Sequence, residues 1–537
     1  MEIPALPHRT PSWRLFTGLL LAVYCLRGIM LACIIPPLEM WDEFQHVAYI
    51  EFIGLHHRIP VLGQAQVSRP LMEAVIHLPQ GRLEVSQIAA YGAVDYERYW
   101  KATLPIQYVQ PIPRQTIYEA QHPPIYYWLM VPFYRAAGGP ANLIASVSVL
   151  RLVNVFISAI GIAVFLWWLN RACLQIAHAM LIGAAVALQP LFLLNACRVA
   201  NDALAVTLGI ILIVWLLSVS GRRLLWHALG IGALLGIAVM TKATDMIILP
   251  FAGMVLLALC IRRQTTWLRA AGAFAALCSV LTIETFPYFR FTFEQYHLFV
   301  PMGEAVVNRR NNVPLQNYLH WIGPEKWTYW LSCIRGWFID DGIWVGGWSF
   351  LRPALIFPRL YGIVVWSAVA AWPLAWLFRR RKAKEFAVFK PGPTVPLALA
   401  LCLCMVAGML VHGVVSAQIY NQSSAEPWYS ELVVPWFVAL VSVGALVWRF
   451  SRVGYGLAAA LPILFVVTEL YGAWSRMVYG YSQRKLSLSA LRRLATLHPD
   501  FLGIPTLFLS TGLMLALLVV AAMVCLKTLR EVPAREA

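Results

Sequence analysis

Charge is what this sequence has least of. Only 12% of its 537 residues are Asp, Glu, Lys or Arg, and 60% are hydrophobic. So few charges cannot coat a chain of this length in water, which excludes an ordinary soluble globular enzyme. Acidic residues are the scarcer sign, 25 against 42 basic ones, for a net charge of +17. No basic soluble domain or recognition motif accompanies that excess, so nucleic acid is excluded as a partner. The ten cysteines are scattered, mostly within apolar runs. Cys402 and Cys404 are too close to staple anything, and no metal-ligand spacing occurs, which excludes a disulfide scaffold or a cysteine metal site. A Gly-rich loop followed by Lys and Ser/Thr is missing, which argues against ATP hydrolysis by this chain. The sequence also has no His-Glu-x-x-His, so it is not a zinc protease of that type. Neither a repeat nor a low-complexity tract stands out.

What is present is long apolar runs from end to end. They lie near 15–35, 145–169, 174–193, 201–219, 224–242, 245–261, 267–287, 354–378, 394–417, 431–449, 454–473 and 503–526. Continuous rather than alternating runs predict helices, hence an all-α polytopic membrane bundle of about twelve spans. His8, Arg9 and Arg14 precede the first run, which is too long for a signal core, so an uncleaved first span with its N-terminus inside is expected. Two long polar insertions interrupt the runs, at 36–144 and 288–353. The expected organisation is a cytoplasmic N-terminus (1–14), a first span (15–35), a first outer loop with juxtamembrane helices (36–144) and a core bundle (145–287). A Trp-rich second outer loop (288–353) and C-terminal membrane helices with a short tail (354–537) follow.

The apolar segment 123–138 is too short to cross. Leaving it flat in the interface puts Arg222-Arg223, Arg262-Arg263 and the cluster at Arg379-Arg380-Arg381-Lys382 all on the cytoplasmic side. The loop 476–493 disagrees, since it should face out yet carries Arg476, Arg484, Lys485, Arg492 and Arg493. Either the count of spans slips by one there or this segment binds anionic lipid. Trp321, Trp327, Trp330, Trp337, Trp344 and Trp348 in the second insertion suit membrane anchoring or a lid over a cavity. Arg27 inside the first span needs a partner that the sequence does not identify, and Glu284 and Glu469 pose the same question near span ends.

Four constellations carry chemistry. In Pro36-Pro37-Leu38-Glu39-Met40-Trp41-Asp42-Glu43-Phe44-Gln45-His46, Asp42 and Glu43 stand where a span meets water. A partly desolvated but reachable carboxylate there suits a general base, although a charged membrane border explains the pair equally simply. In Tyr118-Glu119-Ala120-Gln121-His122-Pro123-Pro124 the prolines fix the chain direction and hold Glu119 and His122 near the surface, or merely start a helix. In Asn195 to Asp202, Arg198 can bind a phosphate while Asn201 and Asp202 bind hydroxyls, position a neighbour or cap a helix. In Thr241-Lys242-Ala243-Thr244-Asp245, Lys242 either holds a phosphate or pairs with Asp245. Arg151, near the start of the second span, is a third candidate cation.

The order of these motifs resembles the GT-C superfamily of integral membrane glycosyltransferases. Within it the protein O-mannosyltransferases, the lipid A aminoarabinose transferases and the RgtA/B/C/D-like bacterial proteins are most alike. The features are Asp42-Glu43 soon after span one, His122-Pro123-Pro124, Asn201-Asp202 opening a span, and Thr241-Lys242 after a Gly-rich apolar helix, over roughly 15–250. The resemblance implies a transferase of the cell envelope, multi-pass in a bacterial inner membrane. Such an enzyme takes a sugar from a polyprenyl-phosphate donor and gives it to a glycan, lipid or protein acceptor on the outer face. It implies Asp42 as base and Glu43 as a positioning or metal-contacting group, with Glu119, His122, Arg151, Arg198, Asn201, Asp202 and Lys242 around the substrate. A sugar phosphate has a good leaving group, so one base suffices, and Arg, Lys or a divalent cation takes up the charge that grows on the phosphate. The rival is a transporter or flippase of lipid-linked sugars using Arg27, Asp202, Lys242 and Asp245. The two related halves common in transporters are not seen, and the long first outer loop favours the enzyme.

Overall fold

The computed structural model describes residues 11–81, 93–103, 106, 114–221, 223–382, 388–389, 393–448 and 452–531. His8, Arg9 and Arg222 lie outside the described residues, as do the side chains of Arg379-Arg380-Arg381-Lys382. The fold is helical, and among the described residues β pairing is limited to isolated bridges such as Gln66 with Thr116. Among the described residues, seven helices are long and apolar enough to cross a membrane: Pro11–Ile34, Gly139–Ala172, Ala243–Ile261, Trp267–Tyr296, Thr394–Tyr420, Val453–Ser482 and Asp500–Arg530. Shorter apolar helices cover Asp202–Ser218, Leu224–Val239, Ile356–Trp372 and Val434–Val447. Every apolar run read from the sequence falls on a helix, and the chain is a multi-pass membrane protein. A single large core cluster joins the first helix to the last ones, and a smaller one is built around Glu43–His56 and Ile125–Ala136.

The run at 174–193 is not one straight helix. Ile176–Leu188 and Pro190–Ala196 meet at a 49° bend. Pro190 has no N–H to continue the ladder and forces Gln189 out of the helical region, to φ −61° and ψ 123°. The carbonyls this frees cannot be left bare in a membrane interior. Arg27 takes them: Nη1 donates to Ala187 O at 2.7 Å and Nη2 to Leu188 O at 3.0 Å. Its Nε donates to Glu469 Oε1 at 2.8 Å. Both side chains are buried, so one ion pair ties the first helix, the broken helix and the helix ending at Leu470 together. Glu469 is the partner that could not be named from sequence.

The segment 123–138 contains the 12-residue helix Ile125–Ala136. At 1.5 Å per residue it spans about 18 Å, short of a hydrocarbon core of about 30 Å. It packs on Glu43–His56 and Leu143–Ala172 and leaves Trp128, Leu129 and Phe133 exposed.

The second insertion begins later than the apolar run suggests, because helix Trp267–Tyr296 runs straight over Pro287. Three short helices follow, Gly303–Arg310, Leu315–Ile322 and Trp327–Arg335. Of the tryptophans here, Trp321, Trp330, Trp337 and Trp344 are buried and only Trp327 is largely exposed. Trp321 and Trp330 pack on Val414 and Ala417, and the Trp337 indole donates to Ala425 O at 2.7 Å. Packing between the insertion and the helices beneath it therefore accounts for most of this cluster.

Replacing Arg27 with Met strands Glu469 beside two uncapped carbonyls. It is expected to cost about 3–5 kcal/mol, and Arg27→Met/Glu469→Leu is expected to recover part of that. Thermal unfolding in detergent checks both, and a double variant no better than Arg27→Met would count against the pairing.

Candidate active site

Two backbone features separate the neighbouring carboxylates. Pro36 and Pro37 stop the first helix, and Leu38 and Asp42 then adopt left-handed conformations, φ 65° and 56°. Asp tolerates this region better than most residues. Asp42 precedes helix Glu43–His56, but its side chain makes no cap and instead accepts a hydrogen bond from the Tyr118 hydroxyl. Glu43, one residue on, points into the core. It receives Arg151 Nε at 2.7 Å and Nη2 at 2.6 Å, Leu38 N at 2.9 Å and Val199 N at 3.0 Å. Arg151 also donates to Ile35 O at 2.6 Å and Pro36 O at 2.8 Å. Glu43 and Arg151 thus tie the loop to helix Leu143–Ala172 and to the Arg198 segment. Neither faces the cavity described below, so the expectation that they contact substrate or metal is corrected to a structural one.

Glu39 also precedes Asp42 and is likewise occupied. The Tyr96 hydroxyl donates to it at 2.9 Å, and Ser349 N and Oγ donate at 2.9 and 2.6 Å. Gly347, at φ 52°, lets the second insertion close over its backbone, where Trp348 N donates to Glu39 O at 2.9 Å.

The other constellations converge on Asp42. Tyr118–Gln121 forms a 3₁₀ turn ended by the prolines. Its Tyr118 N donates to Gln45 Oε1 at 3.0 Å, which brings Glu119 under the helix start. Glu119 Oε2 lies 2.7 Å from His122 Nε2 and 3.9 Å from His46 Nε2. His46 Nδ1 is 2.9 Å from the Tyr127 hydroxyl. Arg198 Nη1 donates to Trp41 O at 2.9 Å and Nη2 to Asp202 Oδ2 at 2.7 Å. Lys242 pairs with Asp202 Oδ1, not with Asp245 as its spacing allowed. Asn201 Nδ2 donates to Thr241 O at 3.0 Å, holding the Asn-Asp and Thr-Lys hairpins side by side.

Asp42, Glu119, His122, Arg198, Asn201, Asp202 and Lys242 all line one cavity of about 410 Å³. Also lining it are His46, Gln121, Glu304 and His412, given no role from the sequence, and Trp428 and Tyr429, whose place just before the run at 431–449 suggests only interface anchors. Trp428 stacks on Trp41 at 4.4 Å, and the Tyr429 ring lies 5.6 Å from Lys242 Nζ. His46 and Tyr118 lie inside the Asp42 and Glu119 motifs, where their closeness to an acid is the signal that marks them. Glu304, His412 and Tyr429 lie in the second half of the chain, where no motif marks them. The lining also has an apolar part that holds Met246, Met302, Met405 and Met409, flexible side chains that mould to irregular hydrocarbon.

Electrostatics push two of the cavity carboxylates, Asp42 and Glu119, apart. Burial, and then the Glu119 charge, raise Asp42 to about 6, against the Tyr118 hydrogen bond and the charges of Arg198 and His122. Burial alone would raise Glu119 too. The two histidines beside it and the Lys242 ammonium reverse the sign and bring it down to about 2. Asp42 is therefore poised to exchange a proton near neutrality, and Glu119 is a fixed anion. Among the described residues no three His, Cys, Asp or Glu side chains are arranged to hold a metal. Of the cavity acids, Asp202 is taken up by Arg198 and Lys242 and Glu119 by His122, so this donor set does not fit a divalent ion.

Arg151→Met is expected to lower Tm strongly, by about 3–5 kcal/mol of stability, because it buries Glu43 uncompensated. Asp42→Asn is expected to leave Tm near wild type, since Tyr118 can still donate to the amide oxygen. Equal losses in the two variants would contradict the division of roles.

No protein-family model matches the chain, and no curated protein matches it significantly. Among solved structures it is similar to ArnT from Cupriavidus metallidurans bound to undecaprenyl phosphate. That match has 15% identity over 96% of this chain and 75% of that one, with a TM-score of 0.44. It is also similar to the Archaeoglobus fulgidus oligosaccharyltransferase in the apo form, at 12% identity over 87% of this chain and 56% of that one, with a TM-score of 0.39.

Proposed function

We propose that this chain is a membrane glycosyltransferase moving a sugar from a polyprenyl-phosphate donor to a hydroxyl acceptor on the non-cytoplasmic face of a bacterial inner membrane. The observation that carries the reading is the grouping of Asp42, Arg198 and Lys242 around one cavity with a methionine-rich apolar side. A base, two cations and a hydrocarbon surface are what a lipid-linked sugar phosphate requires. In this reading the loops 36–144 and 288–353 face outward and enclose the site.

The acceptor hydroxyl gives its proton to the Asp42 carboxylate as its oxygen bonds to the anomeric carbon. The bond between that carbon and the phosphate oxygen breaks, and its electron pair stays on the phosphate. Arg198 and Lys242 meet the growing charge, and Asp202 holds both cations in place. Glu119, kept ionised by its neighbours, raises the proton affinity of Asp42. Glu43 and Arg151 act at one remove by fixing the loop that aims Asp42.

The transporter reading needs Arg27, Asp202, Lys242 and Asp245 along one path. Arg27 is closed off by Glu469 and two carbonyls, and Asp245 does not line the cavity, which supports the enzyme instead.

Purified protein supplied with polyprenyl-phosphate sugars and candidate acceptors is expected to transfer sugar, and Asp42→Asn to lower the rate by about 10²–10⁴-fold. Transfer that survives the change, or lipid movement without transfer, overturns the assignment. The base works ionised, so the rate should fall as pH drops through about 6. The Tyr118 hydrogen bond favours the charged form, so Tyr118→Phe should move that limb to higher pH. A limb unmoved by Tyr118→Phe would detach it from Asp42.

A further inference from the structure

Beyond Tyr429 the cavity carries a second polar group of side chains that the transfer chemistry does not use. The Tyr429 ring lies 4.9 Å from the His412 ring and 5.6 Å from Lys242 Nζ. His412 Nε2 is 3.1 Å from Ser424 Oγ, and the Ser424 hydroxyl donates to Glu304 Oε1 at 3.1 Å. Since that hydroxyl spends its proton on Glu304, it accepts from His412, which places the imidazole proton on Nε2 and leaves Nδ1 a bare acceptor. Glu304 Oε2 is a second acceptor with no hydrogen-bond partner among the described residues.

The cluster is held in place from behind. Ser424 N donates to Ser416 Oγ at 2.9 Å. Gly303 N donates to Gln121 Oε1 at 2.7 Å, pinning the start of helix Gly303–Arg310 to the Glu119–His122 turn. Glu304 and His412 both line the cavity. Two acceptors fixed side by side repel phosphate and carboxylate and attract groups that donate. Between them and the cations lies an aromatic face on which a sugar ring can rest.

We propose that Glu304 and His412, ordered by Ser424, recognise ring hydroxyls of the transferred sugar and so set which donor is used. This rests on the transferase reading above. A phosphate held at Arg198 and Lys242 puts its sugar over Tyr429, with the hydroxyls remote from the anomeric carbon turned to Glu304 and His412. The work of the site is thereby divided: Arg198 and Lys242 bind what every lipid carrier shares, and the acceptors read what differs between sugars.

The test uses the full-length protein in detergent with a polyprenyl-phosphate sugar that the wild type accepts, its deoxy analogues lacking single hydroxyls, and sugar-free polyprenyl phosphate as competitor. Glu304→Gln keeps an acceptor for Ser424 but gives up the charge. It is expected to raise donor KM on the order of tenfold with kcat changed far less, while inhibition by sugar-free polyprenyl phosphate stays as in wild type. One deoxy donor should be penalised in the wild type and lose little more in the variant, and Ser424→Ala should follow the same pattern more weakly. An unchanged KM, a penalty for every deoxy donor that is equal in both proteins, or a parallel loss of sugar-free inhibition overturns the assignment. Failure of the wild type to transfer from any donor instead brings down the transferase reading itself.

Discussion

The bidentate contact between Arg151 and Glu43 is the constraint on which the site depends. Two unit charges buried together are stable only if their remaining donors and acceptors find partners, and here four of the five guanidinium N–H groups and both carboxylate oxygens do. The guanidinium spends two other protons on the carbonyls that the first helix leaves open at Ile35 and Pro36, and the carboxylate takes backbone N–H groups from Leu38 and Val199. One pair thereby joins the loop after the first helix, the helix it lies against and the strand of chain carrying Arg198. Asp42 owes its position to this: with its neighbour anchored inward, the backbone between them turns it toward the cavity.

A second buried pair does comparable work deeper down. Arg27 and Glu469 repair the gap that Pro190 opens in a helix, and the second half of that helix delivers the Arg198 segment to the cavity. In both places an arginine combines one carboxylate with two main-chain carbonyls, which its planar fork of donors suits better than a lysine would. Irregular backbone is tolerated inside this bundle because fixed cations satisfy it.

The sequence made the helices legible because their signal is local: a run of apolar residues long enough to span. It also made most of the cavity's charged lining legible, since Asp42, Glu119, His122, Arg198, Asn201, Asp202 and Lys242 stand in short polar motifs between such runs. What it could not show is pairing across the chain. Glu469 is 442 residues from Arg27, and nothing near either names the other. Adjacent acids could not be assigned to opposite faces, because that depends on a left-handed residue rather than on composition. Lys242 had a nearer acid in Asp245, yet tertiary packing brought Asp202 to it. Tyr429 was hidden for a further reason: it sits just before an apolar run, where an aromatic ring normally marks the membrane border, while His412 lies inside the run at 394–417.

The left-handed conformation at Asp42 bears on how the position can vary. A side chain mounted on such a residue starts from a main-chain direction that few amino acids share, and branched or longer ones pay a steric penalty to adopt it. Lengthening the acid by one methylene is therefore not a mild change here: glutamate would carry the same charge, but from a backbone that resists holding it and with a reach past Tyr118. Only asparagine and glycine fit this bend as readily as aspartate, and neither can take up a proton, so the shape of the loop leaves the position with little latitude.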